Sequence, residues 1–458
     1  MQHKKLFDST RSGDLVLHCT KVVISQGSGD NFKLSGHGTI KINSVGTIYL
    51  EFICIEAKGI SEHSLFGESY PDDPFDSSKK LNLEVEEIGG YTFIASGFSL
   101  NIRNNLHGLP LLIHVYLYEI EQISEIKDYR SAENYLYFEF CEKSLVPKNK
   151  SNSVISSLGD ESHSRNQTLL EFDGASVSII VHEGYCEVAA SGSFEMDKMY
   201  DSLVFYIGLT SGCMPQCYGM VKRKGESQST FIRGVHNSYR LISIPGPMPE
   251  NVSIGGKISY ESHYDILKKI YSVNIENPLY FDSAYAQWKR VWHGYKSQDS
   301  IAMLSLSVSV EGLLNDIFAP RLKEDSLDPG FDDAKVKIIE KISELEIDIK
   351  HKESISGFVA KWGNIHAPKA LSILVEKGLI SDKEKKAWEK IRHSSAHPTF
   401  IEQSDARMQK DHDRMAKCLN LFYRLVLNIF EYSGAQYEYG EPRKPDVVVR
   451  PYLNVLGK

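Results

Sequence analysis

Residues 392–398 read Arg392-His393-Ser394-Ser395-Ala396-His397-Pro398, a permanent cation separated by four residues from an imidazole. These are the groups that cleavage of RNA by its own 2'-hydroxyl requires. A histidine titrates near pH ~6.5 and moves protons, and an arginine fork stays charged beside a phosphate. In that reading His397 shuttles the proton and Arg392 holds the phosphate. His393 orients the substrate or His397, or serves as a second acid/base. Spacing alone is weak evidence, because fifteen Arg and 16 His in 458 residues yield about 1.6 Arg-x(4–6)-His matches by chance, and the chain has three. Context separates them. Arg11 with His18 lies near the N-terminus, and Arg407 with His412 lies inside a continuous helical pattern with Met408 beside the arginine. Arg392 instead closes a predicted helix, and Pro398 disfavours helical geometry for His397. The plainer alternative is that Arg392 neutralises the C-terminal end of a helix dipole and that His397 is a turn residue.

The elements that must position these residues have a 3.6-residue period. Met303, Leu306, Val310, Leu313, Leu314 and Ile317 form one stripe, and further helices are expected over 334–350, 369–377, 382–392 and about 404–432, the last stopped by Gly434. Ser381 and Glu384 form a capping box at the start of the helix that leads to Arg392. Five helices with short connections predict an antiparallel bundle over 261–440, followed by a tail at 441–458. Glu311 and Asn315 lie four apart on its first helix and share a face, which would aim them at the site or leave them as surface polarity. Lys383, Lys385, Lys386 and Lys390 read as a solvated helix face beside Arg392, placed to contact RNA.

Upstream the period is two. Segments 14–19, 47–56, 91–100, 111–120 and 135–141 alternate apolar and polar residues with β-branched and aromatic types, which predicts antiparallel strands. The fold class is therefore α+β, with an N-terminal β-rich region in two lobes (1–146 and 168–260, the second with a helix near 197–209 and a last strand at 239–244) and a C-terminal helical bundle. The Ser-rich stretch 147–167 reads as a polar linker or loop between the lobes.

Charge divides the chain. Residues 1–260 hold 23 Lys+Arg against 31 Asp+Glu, and residues 261–458 hold 29 of each, so a general basic surface for nonspecific nucleic-acid binding is excluded. The seven cysteines are odd in number and scattered, which predicts reduced thiols. Cys213 and Cys217 make half a zinc site at most, with His182 or His236 as partners, and no second close pair completes it. No metal and no cofactor are expected. No run of ~18 uninterrupted apolar residues and no apolar leader segment occur, which predicts a cytoplasmic chain with no membrane association.

The motif, its approach through Leu371-Ser372-Ile373-Leu374-Val375-Glu376-Lys377-Gly378-Leu379-Ile380-Ser381 and Trp388-Glu389-Lys390-Ile391-Arg392, and the first helix with Val310-Glu311-Gly312-Leu313-Leu314 together resemble HEPN ribonucleases over about residues 265–435. The order of a β-rich half followed by such a bundle resembles anti-phage HEPN proteins of the ApeA type. The resemblance implies a metal-independent endoribonuclease that leaves a 2',3'-cyclic phosphate, with two protomers bringing their motifs together in a homodimer. It also implies a toxin-like role in antiviral defence by abortive infection, with the β-rich half sensing a phage-derived trigger. A second reading is a catalytically silent bundle that serves dimerisation, with the β-half holding a protein or carbohydrate-like ligand.

Overall fold

Buried and exposed side chains alternate along the N-terminal strands as a half-buried sheet demands. In residues 111–117, Leu111, Ile113, Val115 and Leu117 are buried while Leu112 and Tyr116 face solvent. The computed structural model describes all residues except 1, 27–31, 59–68, 72, 103–108, 126–133, 143, 156–160, 173, 236–242, 251, 255–256, 260, 296, 298, 327–329, 397–403, 441–445 and 457–458. The chain forms two compact units, Met1–Ser243 and Ile244–Lys458.

The first unit opens with helix α1 (Gln2–Ser12) and continues through β1 (Val16–Gln26), β2 (Lys33–Ile42), β3 (Ile48–Lys58), β4 (Ser69–Tyr70), β5 (Leu81–Glu87), β6 (Thr92–Phe98), β7 (Leu100–Asn101), β8 (Leu111–Leu117) and β9 (Glu119–Glu125). It is completed by β10 (Asn134–Phe140), β11 (Lys150–Ile155), β12 (Glu161–Phe172), β13 (Ala175–Val181), β14 (Cys186–Gly192), helix α2 (Met196–Ser211), β15 (Cys217–Lys224) and β16 (Ser227–Arg233). Fourteen of these strands make one antiparallel sheet in the order β11-β12-β13-β14-β10-β15-β16-β9-β6-β5-β1-β2-β3-β8. Edge strand β8 approaches β6 and β7. The sheet thus curls around an apolar cluster that includes Val22, Ile24, Leu50, Phe52, Val85 and Val115. Full burial of each such side chain contributes about 1.5–3 kcal/mol.

Two expectations fail here. Residues 147–167 are not a linker, because β11 and β12 pair as an edge hairpin that continues the sheet. Their Ser- and Asn-rich sequence carries no apolar alternation, and it is held by polar bonds such as Thr168 Oγ1 to Pro147 O at 2.8 Å. The two lobes are also not separate sheets, since β9 pairs with β16 over seven positions and joins strands from both halves. The helix expected near 197–209 is α2, closed by Gly212 in the left-handed conformation (φ 66°). The strand expected at 239–244 falls mostly outside the described residues, and Ile244, which is described, is not in a strand. Helix α1 was not anticipated. Its Phe7 ring lies where a Cβ on Gly219 would stand, and its Arg11 reaches the Tyr218 hydroxyl at 3.2 Å. The buried Glu139 carboxylate beneath accepts bonds from Tyr137 and Tyr218, both at 2.6 Å, and burial raises its pKa.

The second unit begins with hairpin β17 (Val252–Ile254) and β18 (Lys257–Ser259) and has nine α-helices among the described residues, not five. They are α3 (Glu261–Glu276), α4 (Pro278–Tyr295), α5 (Asp299–Leu313), α6 (Ala319–Ser326), α7 (Phe331–Glu344), α8 (Ile349–Ala360), α9 (Ala367–Glu376), α10 (Asp382–Ala396) and α11 (Asp405–Ile429). The expected helix at 334–350 is two helices. Asp348 accepts a bond from the Lys350 amide and starts α8 instead of letting α7 continue. Gly434 does not stop α11, which ends at Ile429. It opens β19 (Gly434–Glu438), which pairs with β20 (Asp446–Arg450), so the expected tail contributes a strand. Helix α5 contacts α4, α10 and α11. The stretch Ser300–Glu324 is apolar enough by composition to cross a membrane (mean hydropathy 1.4), but half of that window is buried inside the protein.

The α4–α5 approach is set by two glycines. A Cβ on Gly294 would lie 2.4 Å from Ser305 Cβ, and one on Gly312 would lie 2.4 Å from Gln287 Nε2. Gly294→Ala is therefore expected to destabilise the protein by about 1–3 kcal/mol in denaturant unfolding, because overpacking outweighs alanine's better helix propensity. Adding Ser305→Gly should recover most of the loss, and full stability in the single variant would reject the close approach. His263, buried on α3, has its pKa pushed down by burial to about 4. The unfolded chain binds a proton at this site below pH ~6.5, whereas the folded chain stays neutral to about pH 4. Stability should thus fall as pH drops through that window. Unfolding curves of wild type and His263→Gln should diverge there, with the flatter pH dependence in the variant.

Candidate active site on helices α5 and α10

Helix α10 starts as the sequence indicates. Glu384 Oε2 accepts from the Ser381 amide and hydroxyl, both at 2.7 Å, and the Ser381 hydroxyl oxygen accepts from the Glu384 amide at 3.3 Å. Glu384 Oε2 also accepts a 2.6 Å bond from Arg424 NH1 of α11, with the Glu384 and Arg424 side chains 4% and 8% exposed. One carboxylate thus caps α10 and ties it to α11. Arg424 was missed in the sequence because it interrupts an apolar run, and that interruption was the available signal: a charge amid Leu421, Phe422, Leu425 and Val426 needs a buried partner.

One turn further along α10, Trp388 Nε1 donates to Ser307 O of α5 at 2.9 Å. Four residues on, Arg392 Nε donates to Glu311 Oε2 at 2.6 Å. Both pairs are separated by 81 residues, so α5 and α10 run in the same direction in fixed register here. The Arg392 and Glu311 side chains are 38% and 30% exposed, so the pair lies at the rim of the bundle. Among the described residues the guanidinium is bonded only through Nε, which leaves NH1 and NH2 as further donors. The structure thus joins two expected site residues, the arginine and its carboxylate partner.

Helix α10 does not end at Arg392 but runs to Ala396, one full turn further. The restriction imposed by Pro398 acts on residue 397 and lets the helix continue up to that point. Arg392 is therefore not the terminal residue that would neutralise the helix dipole, and its nearest opposite charge is Glu311. His397 lies outside the described residues. His393 is exposed on α10, about 100° around the helix from Arg392. Lys383, Lys386 and Lys390 follow an i, i+3, i+7 stripe with His393, on the side turned away from Arg392. Lys386 is paired with Asp382 at 2.6 Å and Lys385 with Glu389 at 3.8 Å, whereas Lys383 and Lys390 form no ion pair among the described residues.

Past Glu311, residues Leu314–Phe318 form a π-helical turn. Such turns insert an extra residue and re-aim the side chains that follow. Asn315 is exposed on it, and Asp316 accepts a 2.7 Å bond from the Ser283 hydroxyl of α4. The two rival Arg–His spacings are occupied structurally: Arg11 bonds Asp8 and Tyr218 and stacks on Tyr185, and Arg407 pairs with Asp411 at 3.7 Å. Cys213 and Cys217 are buried and in no disulfide, and burial raises the pKa of both thiols, that of Cys217 to about 12. Among the described residues no group of three or more His, Cys, Asp or Glu gathers in metal-binding geometry.

No protein-family model, curated protein or solved structure matches this chain.

The buried Glu384–Arg424 pair makes a direct energetic prediction. Glu384→Ala removes the cap of α10 and leaves the buried Arg424 guanidinium with Glu438 alone, 3.4 Å away, and is expected to cost about 2–4 kcal/mol in unfolding free energy, with α10 protected less from hydrogen exchange than α4. A loss below ~1 kcal/mol would show that the pair does not hold α10.

Proposed function

We propose that this chain is a metal-independent endoribonuclease of the HEPN type, acting in the cytoplasm in anti-phage defence by abortive infection. The observation that carries the reading is the Arg392–Glu311 bond, which holds the guanidinium through Nε and leaves NH1 and NH2 without a partner among the described residues, five residues before His397. In the reaction, the 2'-oxygen of the substrate attacks the adjacent phosphorus, the bond to the 5'-oxygen breaks, and a 2',3'-cyclic phosphate and a 5'-hydroxyl result. His397 takes the proton from the 2'-hydroxyl, or returns one to the departing 5'-oxygen. NH1 and NH2 of Arg392 bond the non-bridging phosphate oxygens, where negative charge accumulates. His393 serves as the second acid/base or orients the substrate.

One copy has few groups for both proton transfers, so the reading includes a homodimer through the helical unit with two motifs facing one cleft. The acidic first unit takes the role of sensor and restraint and answers a phage-derived trigger. Glu311 neutralises Arg392 in the resting state and positions its fork, and Asn315, on the re-aimed turn, is a polar group available to the RNA. Lys383, Lys386 and Lys390 face away from the Arg392 fork, which suits them to a distal part of the strand. The competing reading is a catalytically silent bundle, and the same ion pair favours it if its role is only to hold α5 to α10.

Mutant kinetics separate the two. Arg392→Ala and His397→Ala should each lower single-turnover cleavage by about 10²–10⁴-fold. Arg392→Lys should be nearly as harmful, because an ammonium lacks the fork. Glu311→Gln, which keeps a hydrogen-bond acceptor, should retain most activity. RNA left intact by the wild type, alone and with phage lysate, together with lowered melting temperatures for Arg392→Ala and Glu311→Ala, would establish the silent bundle.

A further inference from the structure

The first unit holds a recess of about 480 Å³, within the ~300–1,000 Å³ range of small-molecule sites. The sheet register shows why it forms. Across β9 and β16, Gln122 pairs with Thr230 and Ser124 with Gln228, and across β16 and β15, Thr230 pairs with Val221 and Gln228 with Arg223. Directly paired residues share a face, and Ile120, Ile232 and Val221 on this same face belong to the apolar core. The face therefore changes character along three neighbouring strands. Ile120 gives way to Gln122 and Ser124, Ile232 to Thr230 and Gln228, and Val221 to Arg223. Amides and hydroxyls on a core-facing surface need hydrogen-bond partners, and here they line the recess. Helix α1 lies on this face, with Phe7 over Gly219, and it brings His3 to the recess wall, edge-on to the Tyr137 ring at 5.8 Å.

The charge of the recess runs against that of the unit around it. Residues 1–260 hold 31 acidic against 23 basic residues, yet no carboxylate is among the described lining residues, which include Arg223 and His3. The Arg223 guanidinium stands 4.6 Å over the Tyr135 ring, its cross-strand neighbour on the same face. The pKa of His3 is lowered by burial first and then by nearby positive charge, Lys4 and Arg223 included, against the opposing effect of Glu187 on β14. Glu187 itself is engaged by Lys4 at 3.7 Å and by the Tyr185 hydroxyl at 3.4 Å. An arriving anion would relieve the repulsion between Arg223 and His3, and an arriving cation would add to it. We infer that this recess binds a small polar molecule carrying an oxyanion, phosphate or carboxylate, whose charge lies between Arg223 and His3 and whose uncharged body hydrogen-bonds Gln122, Ser124, Gln228 and Thr230. A nucleic-acid strand is disfavoured, because one arginine and one imidazole within an acidic unit do not track a phosphate backbone. The inference is independent of the ribonuclease reading.

The test is calorimetric titration of the full chain at low salt with ribose 5-phosphate, gluconate, ribose, inorganic phosphate and the RNA hexamer rU6, on wild type, Arg223→Gln and Gln228→Ala, with melting temperatures recorded for each. Ribose 5-phosphate or gluconate should bind about tenfold more tightly than ribose, and Arg223→Gln should abolish most of that preference. Gln228→Ala should weaken both of these anionic probes but leave inorganic phosphate unchanged, because it touches only the uncharged body. Tighter binding of ribose 5-phosphate than of gluconate identifies a phosphate as the anion, the reverse identifies a carboxylate, and equal affinity shows that either serves. Ribose bound as tightly as its phosphate, no saturable binding of either anionic probe, or an Arg223→Gln variant that binds as wild type does would overturn the inference. Binding of rU6 more tightly than ribose 5-phosphate, lost in Arg223→Gln, would also overturn it and make the recess part of a nucleic-acid surface. Should Arg223→Gln melt early, the NMR signal of the His3 imidazole, assigned with His3→Gln, replaces it. That signal should shift saturably with the anionic probe that binds and not with ribose, and an unmoved signal counts against the recess.

Discussion

The candidate site depends on the register between two parallel helices. Trp388 on Ser307 and Arg392 on Glu311 are spaced by four residues on both α5 and α10, so the first contact determines the second. The indole N–H and its carbonyl partner are buried, where a hydrogen bond is costly to break, and the rim pair inherits that precision. An exposed ion pair on its own is worth at most ~1 kcal/mol, so Glu311 does not hold the helices together. The helices hold Glu311 to Arg392. The same logic operates at the other end of α10, where Glu384 caps the helix and pairs with Arg424 in the core. Two glycines, at 294 and 312, then let α4 press against α5 from the opposite side.

The first unit solves a different problem. A sheet of fourteen strands needs apolar cover, and it finds it by curling at one end and by laying α1 against β15, where Gly219 leaves room for the Phe7 ring. Its polar contacts at that helix are interlocked: Arg11, Tyr218, Tyr137 and Glu139 share hydrogen bonds around one buried carboxylate. Nothing in this arrangement concentrates positive charge, in keeping with the excess of acidic residues over 1–260.

What could be read from the sequence followed the physics of each signal. Strands with one wet face, such as β3 and β8, show in their alternation, and amphipathic helices such as α10 and α11 show in their stripes. The capping box at Ser381 and Glu384 was legible because it is local. The edge hairpin of β11 and β12 was not, because strands that are polar on both faces leave no apolar period, and the break between α7 and α8 hangs on one capping aspartate. At the site, Arg392 and Glu311 were both legible as candidates. Their contact was not, since it spans 81 residues and depends on a tryptophan whose sequence role looks merely apolar. Of the lysines that precede Arg392 in sequence, Lys383, Lys386 and Lys390 are turned by helix geometry to another face, and Lys385, on the Arg392 side, is paired with Glu389.

In the proposed function, Arg392 and the histidine after it cut RNA through the substrate's own 2'-hydroxyl. The measurement that meets it most directly is mass spectrometry of the fragment ends after incubating the full chain with RNA in excess EDTA, alongside the same RNA carrying 2'-deoxy substitutions at the cut positions. Fragments ending in 2',3'-cyclic phosphate are expected from the first RNA, and the second RNA should stay uncut. Cleavage of the deoxy-substituted strand at the same positions, or products that end in 3'-hydroxyl and 5'-phosphate, would contradict it.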